Sequence, residues 1–403
     1  MLNKIMTTFI SFGCWNYDGC KDGSGFKQVS EAIIDKQTRQ QINFFIINGD
    51  NYYQEKLNDK QNHVDKTVDE ANLVRGFNCL KSMTRSKELF LLMGNHDVDR
   101  TNDCETIRLE KDFVSRNPKI HLPTNLVMFK TIGSDTLIIM LDSTIYTSDY
   151  FIECYEKLTD YKDIDKNNHS FLVDKQKEVV QNELAGKHYK NIIVCAHHPL
   201  MGIKNQVIKE SKGKIKQKGG IDSLDYDMYA LLYDVIKPYG DEFFYLCADI
   251  HNYQKGEVLI TKNGESMKIS QYIVGTGGAK LDPDYNGNYH DSTNPLGTDD
   301  PPPKNTFSLS LSDIDITYNL ADHWSDFGYL ITTVHADTSI TFEAIRLAVS
   351  GGSNRKFLTR KPTTTNKYKQ PTRRNKSTKR RIPRRTTRRR QRRKTRRRQR
   401  GRT

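Results

Sequence analysis

The chain has 403 residues and a formal net charge of +14, enough length for one large domain or two ordinary ones. The charge is unevenly placed: residues 354–403 carry 25 Lys and Arg without a single Asp or Glu, which leaves residues 1–353 with 38 basic and 49 acidic side chains. A uniformly basic protein is thus excluded, and so is a helical membrane span, because no apolar run reaches the ~18 residues that crossing needs.

Taken in order, the acidic part alternates apolar runs with amphipathic stretches. Thr8–Gly13 predicts a buried first strand, which argues against reading the N-terminus as a secretory leader. Phe26, Val29, Ile33 and Ile34 recur at helical spacing, and Phe44–Gly49 predicts a second buried strand. Val68–Leu80 is helix-like, Leu89–Gly94 and Leu137–Asp142 are strands, and Phe171–Leu184 is a helix with Ser170 as N-cap. Ile192–Cys195 predicts a strand, Tyr226–Lys237 a helix stopped by Pro238, and Phe243–Cys247 another strand. Beyond it the pattern is β only: Glu257–Thr261 turns at Asn263-Gly264 into Met267–Val274, and Tyr329–His335 pairs with Ser339–Ile345. Tyr52–Lys66, Lys204–Gly219 and Leu281–Phe307 read as irregular loops. Alternating βα units followed by hairpins predict a mixed sheet or two packed sheets with helices outside.

Seven scattered cysteines, an odd number without CxxC spacing, point to free thiols in a reducing, intracellular compartment. The division expected is a folded domain over 1–350 and a tail over 351–403 too poor in apolar residues to order itself.

Each buried strand delivers a polar residue of metal-binding type just past its C-terminal end. The second gives Gly49-Asp50-Asn51-Tyr52-Tyr53 and the third Gly94-Asn95-His96-Asp97. Ile192–Cys195 leads into Ala196-His197-His198-Pro199, and Phe243–Cys247 into Ala248-Asp249-Ile250-His251. One such pair is weak; four in order, each after an apolar run, is a strong signal. Carboxylate, amide and imidazole together suit a pair of divalent or trivalent ions, because an Asp can bridge two metals and an Asn adds an oxygen without charge.

These segments resemble the motifs of the calcineurin-like metallophosphoesterases, nearest to the purple (tartrate-resistant) acid phosphatase branch with its GDNFY, GNH, GHYP and GHDHNLQ. The resemblance runs from about residue 8 to 346 and takes in Leu141-Asp142-Ser143 and Val274–Gly278. It implies a four-layer αββα sandwich and two metal ions, drawn from Fe, Zn or Mn. By the same resemblance Asp50 bridges both ions, Tyr53 and His251 bind the first, Asn95 and His197 bind the second, and His96 is the outer-shell donor or general acid. The implied reaction is in-line attack on a phosphate ester by metal-bound hydroxide. Two positions depart from the pattern: Cys14 stands where the family has its first Asp, and Asp249 where it has the first His of GHDH. Both are counted as metal-site residues, on opposite ions. Asn16 or Asp18 is an alternative to Cys14. His198 is expected to orient its neighbour or to face solvent, and His323, next to Trp324, to lie in the core.

The tail is a polyelectrolyte. Arg380, Arg381, Arg384, Arg385, Arg388, Arg389, Arg390, Arg392, Arg393, Arg396, Arg397 and Arg398 predict sequence-blind contact with nucleic-acid phosphates, and Phe357 and Tyr368 offer little base stacking. The combined expectation is a phosphoesterase held on nucleic acid by its tail, with no membrane partner, in a nucleus or in the virion of a large DNA virus. The alternative is a catalytically impaired phosphoesterase fold acting as a packaging or virion protein.

Overall fold

In the computed structural model, residues 6–347 are described except 54, 57–65, 68, 99–103, 148–151, 162–163, 165–167, 169, 212–213 and 285–304. All of these lie within one compact unit, Met1–Gly351. The tail arginines fall outside the described residues.

Two sheets carry the fold. The first has the spatial order β18 (Ile340–Leu347), β17 (Phe327–Val334), β1 (Thr7–Phe12), β2 (Phe44–Ile47), β5 (Glu88–Leu91), β6 (Ile120–His121). β1, β2, β5 and β6 run parallel; β17 and β18 close the edge antiparallel. The second sheet has the order β15 (Thr306–Leu311), β16 (Ile314–Trp324), β13 (Tyr253–Lys262), β14 (Glu265–Val274), β12 (Gly240–Cys247), β9 (Tyr189–Cys195), β8 (Thr136–Leu141), β7 (Val127–Ile132). Its central strands β8, β9, β12 and β14 are parallel. Parallel strands covered on both faces read as continuous apolar runs, and β2 (FFII) and β8 (TLIIML) are buried along their whole length.

The helices cover the outer faces. α1 (Gly25–Arg39) packs on α2 (Glu70–Thr84) and on β17, and α3 (Glu105–Ser115) on α4 (Ile152–Leu158). α5 (Ser170–Leu184) packs against β7 and the wide-turn segment Leu231–Ile236 that continues α6 (Tyr226–Ala230). β14 meets β17 between the sheets, and Gly13 N donates to the Val274 carbonyl at 3.0 Å where β1 and β14 end. This is the expected sandwich of two sheets between helices.

The boundaries bear the reading out in part. The Asn263-Gly264 hairpin has both turn residues at positive φ, 54° and 81°, as a two-residue turn requires. At α5 the start is marked by Asn168, whose Oδ1 accepts from Ser170 N at 3.1 Å; Ser170 is the first helical residue, not the cap. The segment read as a Lys-rich loop is a hairpin, β10 (Met201–Ser211) with β11 (Lys214–Ser223). Two-residue strands β3 (Glu55–Lys56) and β4 (Lys66–Thr67) pair within the Tyr52–Lys66 region. His323 lies on β16 and is not core: its Nδ1 meets Asp284 Oδ1 at 2.6 Å.

The cysteine reading needs correction. Cys20 is bonded to Cys79 and Cys104 to Cys154, and Cys14, Cys195 and Cys247 remain free and buried. The partners are 59 and 50 residues apart in sequence, so only the fold brings them together. Disulfides persist in oxidising compartments, and the odd count therefore gives no support to a reducing one. Among the described residues no helix is long and apolar enough to cross a membrane.

Candidate metal centre

Within each sheet these parallel strands point the same way, and site residues sit two to six positions past the ends of β1, β2, β5, β9 and β12. Three of these residues hold the left-handed conformation: Cys14 at φ 54°, Asp50 at φ 52° and Asp249 at φ 54°. A side chain with a Cβ pays ~1–2 kcal/mol for this, and such strain gathers at functional sites. Here it turns each chain sharply at the strand end and aims the side chain back over the sheet edge.

Asp50 is the hub and is buried. Its Oδ2 accepts from the Tyr53 hydroxyl at 2.8 Å and lies 4.0 Å from Cys14 Sγ. Its Oδ1 accepts from His96 N at 3.2 Å and faces His197 Nε2 at 3.2 Å. Gly94 allows this packing, because a Cβ there would meet Asp50 Oδ1 at 2.3 Å and Asp50 N at 2.4 Å.

The donors around Asp50 fall into two groups. Cys14, Asp50 and His251 form one, and His197, His198 and Asp249 the other; within each group the ligand atoms lie within 4.8 Å of one another. Tyr53 belongs to the first, with its hydroxyl 3.0 Å from His251 Nε2. His197 Nε2 is 3.8 Å from Asp249 Oδ1. His96 rests on the Tyr53 ring, centroids 4.5 Å apart.

Second contacts fix the imidazoles. His197 Nδ1 lies 2.7 Å from the Asn48 carbonyl and His251 Nδ1 2.7 Å from the Lys280 carbonyl. A carbonyl only accepts, so both Nδ1 atoms carry hydrogen, which leaves His197 Nε2 to face Asp50 and His251 Nε2 to face the Tyr53 hydroxyl. His198 is the reverse. Ser143 Oγ already accepts from His197 N (3.1 Å) and His198 N (2.9 Å), so its own hydrogen goes to His198 Nδ1 at 3.0 Å. The hydrogen of that neutral ring sits on Nε2, which makes His198 a buried donor at the site. Its motif gave no sign of this, since the signal is Ser143, 55 residues earlier.

The protonation states follow from this packing. Burial and the neighbouring Asp50 push the Cys14 thiol and the Tyr53 phenol well up, so both are uncharged alone. Burial disfavours the charged Asp50 and Asp249, but His197 and His96 beside the former, and Lys204 with the histidines beside the latter, hold both far below the usual carboxylate range. Burial lowers His197, yet Asp50 outweighs it and the group is pushed up to about 9. His198, buried beside His197, falls to about 3.

These residues fit a cation. The His197 Nε2 lone pair points at two carboxylates, three electron-rich atoms that cannot satisfy one another unless a positive charge lies between them. A proton fills that place when nothing else does. Asn95 Oδ1 is buried and has no hydrogen-bond partner among the described residues. The alternatives to Cys14 fare less well: Asn16 turns away, its Nδ2 donating to the Leu73 carbonyl at 3.4 Å, and Asp18 joins neither group.

A further shell holds the Asp50 loop. Asp97 accepts from Asn51 N (2.8 Å), Tyr52 N (3.2 Å), Asn51 Nδ2 (3.2 Å) and Gly94 N (2.8 Å). Trp15 Nε1 donates to Asn51 Oδ1 at 3.2 Å. Burial raises both Asp97 and the buried Glu110, the latter to about 8. The backbone donors on Asp97 favour its charged form, so the pair's proton sits on Glu110 at neutral pH. Neither Trp15 nor Glu110 was legible as part of the site.

The model of the calcineurin-like phosphoesterase family matches residues 12–224. Solved structures that the chain matches include one described as GAP50, the anchor in the inner membrane complex of Plasmodium (14% identity, 85% of each chain covered, TM-score 0.42). Another is described as PhoD (11% identity, 84% of this chain and 68% of that one, TM-score 0.46). A search of curated proteins finds no match. With the family's match covering more than half of the sequence, the chain belongs to the calcineurin-like phosphoesterases.

Proposed function

We propose that the chain is a metal-dependent phosphoester hydrolase with a purple-acid-phosphatase-like binuclear centre. The observation that carries this reading is the pair of donor groups that meet at Asp50, one with Cys14, Tyr53 and His251, the other with His197, His198 and Asp249; the orphaned Asn95 Oδ1 would add an oxygen to the second. Asp50 would be held in common, and Fe, Zn or Mn suits a mixed set of thiol, phenol, imidazole and oxygen donors. Bound ions supply Lewis acidity and a strong nucleophile from water near neutral pH.

The protein's own residues do the rest. The Asn48 and Lys280 carbonyls keep the Nε2 atoms of His197 and His251 aimed inward. His198 Nε2–H offers a donor to a phosphate oxygen. His96, half-buried on the Tyr53 ring, would give a proton to the departing alkoxide or phenoxide oxygen. The tail, with 25 cationic side chains and no anionic ones, would hold the domain on nucleic acid.

The test is hydrolysis of an aryl phosphate monoester and diester by the full chain loaded with Fe, Zn or Mn, with metal content measured beside it. Turnover that Asp50→Ala abolishes is expected. Stoichiometric metal without turnover under any loading would favour the impaired-fold alternative. A salt-dependent shift of duplex DNA by the full chain, lost on removing 354–403, checks the tail.

A further inference from the structure

Lys204 opens the segment that reads as an irregular loop from sequence, and its position in the β10–β11 hairpin is specific. Its Nζ lies 3.0 Å from Asp249 Oδ2 and 2.6 Å from Asp222 Oδ2. Asp222 is on the partner strand, two residues beyond the Gly220 that pairs with Lys204. The two acids are not equivalent. The Asp249 side chain is 14% exposed and Asp222 37%, so water screens Asp222 while Asp249 faces the centre.

The two oxygens of Asp249 are divided. Oδ2 meets Lys204, and Oδ1 is the atom on the His197 side, 3.8 Å from Nε2. Asp50 faces the same nitrogen at 3.2 Å, so two carboxylates crowd one imidazole where a phosphate ester, itself an anion, has to approach. We infer that Lys204 is a positioning residue for this half of the centre: it holds Asp249 Oδ2, leaves Oδ1 as a single oxygen donor, and cancels the charge that would otherwise repel an anionic phosphate substrate. This rests on the phosphoesterase reading given above.

A charge-cancelling role differs from a merely structural one in what repairs its loss. If Lys204 serves to neutralise Asp249, removing the lysine becomes harmless once Asp249 is itself replaced by a neutral donor. If Lys204 only ties the hairpin down, the second substitution repairs nothing.

The experiment uses the full chain and two probes, Mn²⁺ alone and inorganic phosphate added to Mn²⁺-loaded protein, both followed by titration calorimetry. Asp50→Ala serves as the blank for phosphate bound by the tail. Lys204→Met is expected to weaken phosphate binding about tenfold or more, the effect of one unscreened charge a few ångströms away, while Mn²⁺ binding holds or tightens. Lys204→Arg, which keeps the charge, should stay within about threefold of the parent, and Lys204→Met with Asp249→His should regain phosphate affinity to a similar margin. Phosphate affinity unchanged in Lys204→Met overturns the inference, as does a loss that Asp249→His fails to restore. A parent protein that takes up neither Mn²⁺ nor phosphate overturns the phosphoesterase reading itself, an outcome visible before any Lys204 variant is compared.

Discussion

On one side of Asp50 stand a thiol, a phenol and an imidazole; on the other stand two imidazoles and a carboxylate. Both sides are built alike, from left-handed residues at strand ends and imidazoles locked by backbone carbonyls. They differ in how charge is stored. Burial keeps Cys14 and Tyr53 protonated and neutral, so the first side becomes anionic only when a cation displaces those protons. The second side is ionised from the start, with His197 and Lys204 balancing Asp50 and Asp249. A ligand set of the same size can thus wait in neutral or ion-paired form, and the two should answer differently to metal, pH and substitution.

The largest effect removes what the sides share. Asp50→Ala should abolish metal binding at both, and hydrolysis should fall by at least about 10³-fold, the scale of losing a central electrostatic group. Gly94→Ala tests the same point without touching a donor. Its methyl would press on both Asp50 Oδ1 and the Asp50 backbone, and a loss of about 10–100-fold in metal affinity is expected, the usual cost of disturbing a supporting contact. Titration with Zn²⁺ and Mn²⁺ measures both, and parental affinity in Gly94→Ala would show that Asp50 does not need its present seat.

Cys14→Asp separates the two sides. The thiol must lose a proton to bind a cation, so metal uptake should release that proton and weaken as pH falls. A carboxylate is already ionised and releases none. Calorimetry in buffers of different ionisation enthalpy should show roughly one proton fewer released by Cys14→Asp, and preference should move from Zn²⁺ toward Mn²⁺ and Mg²⁺. Equal proton release by the two proteins would mean that Cys14 stays outside the metal shell.

What the sequence discloses follows the range of the interaction. The apolar runs of β2, β5, β8, β9 and β12 and the residues just past them are local, and reading them places Asp50, Asn95, His96, His197, Asp249 and His251 past the C-terminal ends of strands. The Asn263-Gly264 turn is local in the same way. The parts that escape notice are set by distant partners. Lys204 gains its meaning from Asp249, 45 residues on, and His198 its tautomer from Ser143. The bonded cysteines lie 50 and 59 residues apart with no pattern beside them. Strands β15 and β16 were missed because their alternation of exposed serines and threonines with single apolar residues resembles the polar loop before them.

The smallest expected change lies outside both sides, at the buried Glu110 beside Asp97, the carboxyl that holds the Asp50 loop. Glu110 keeps its proton up to about pH 8 when folded and would lose it near pH 4.5 when unfolded. Between those values the folded state binds the extra proton, so stability falls as pH rises, and below about 4.5 the group contributes nothing either way. Glu110→Gln keeps the shape and removes the ionisation. It should therefore match the parent near pH 4.5 and gain on it steadily to pH 8, by roughly 1–4 kcal/mol, the scale of a raised buried carboxyl. Urea unfolding at pH 5, 6, 7 and 8 measures the divergence. A constant difference across the series would show that the folded state takes up no extra proton at this pair of carboxyls.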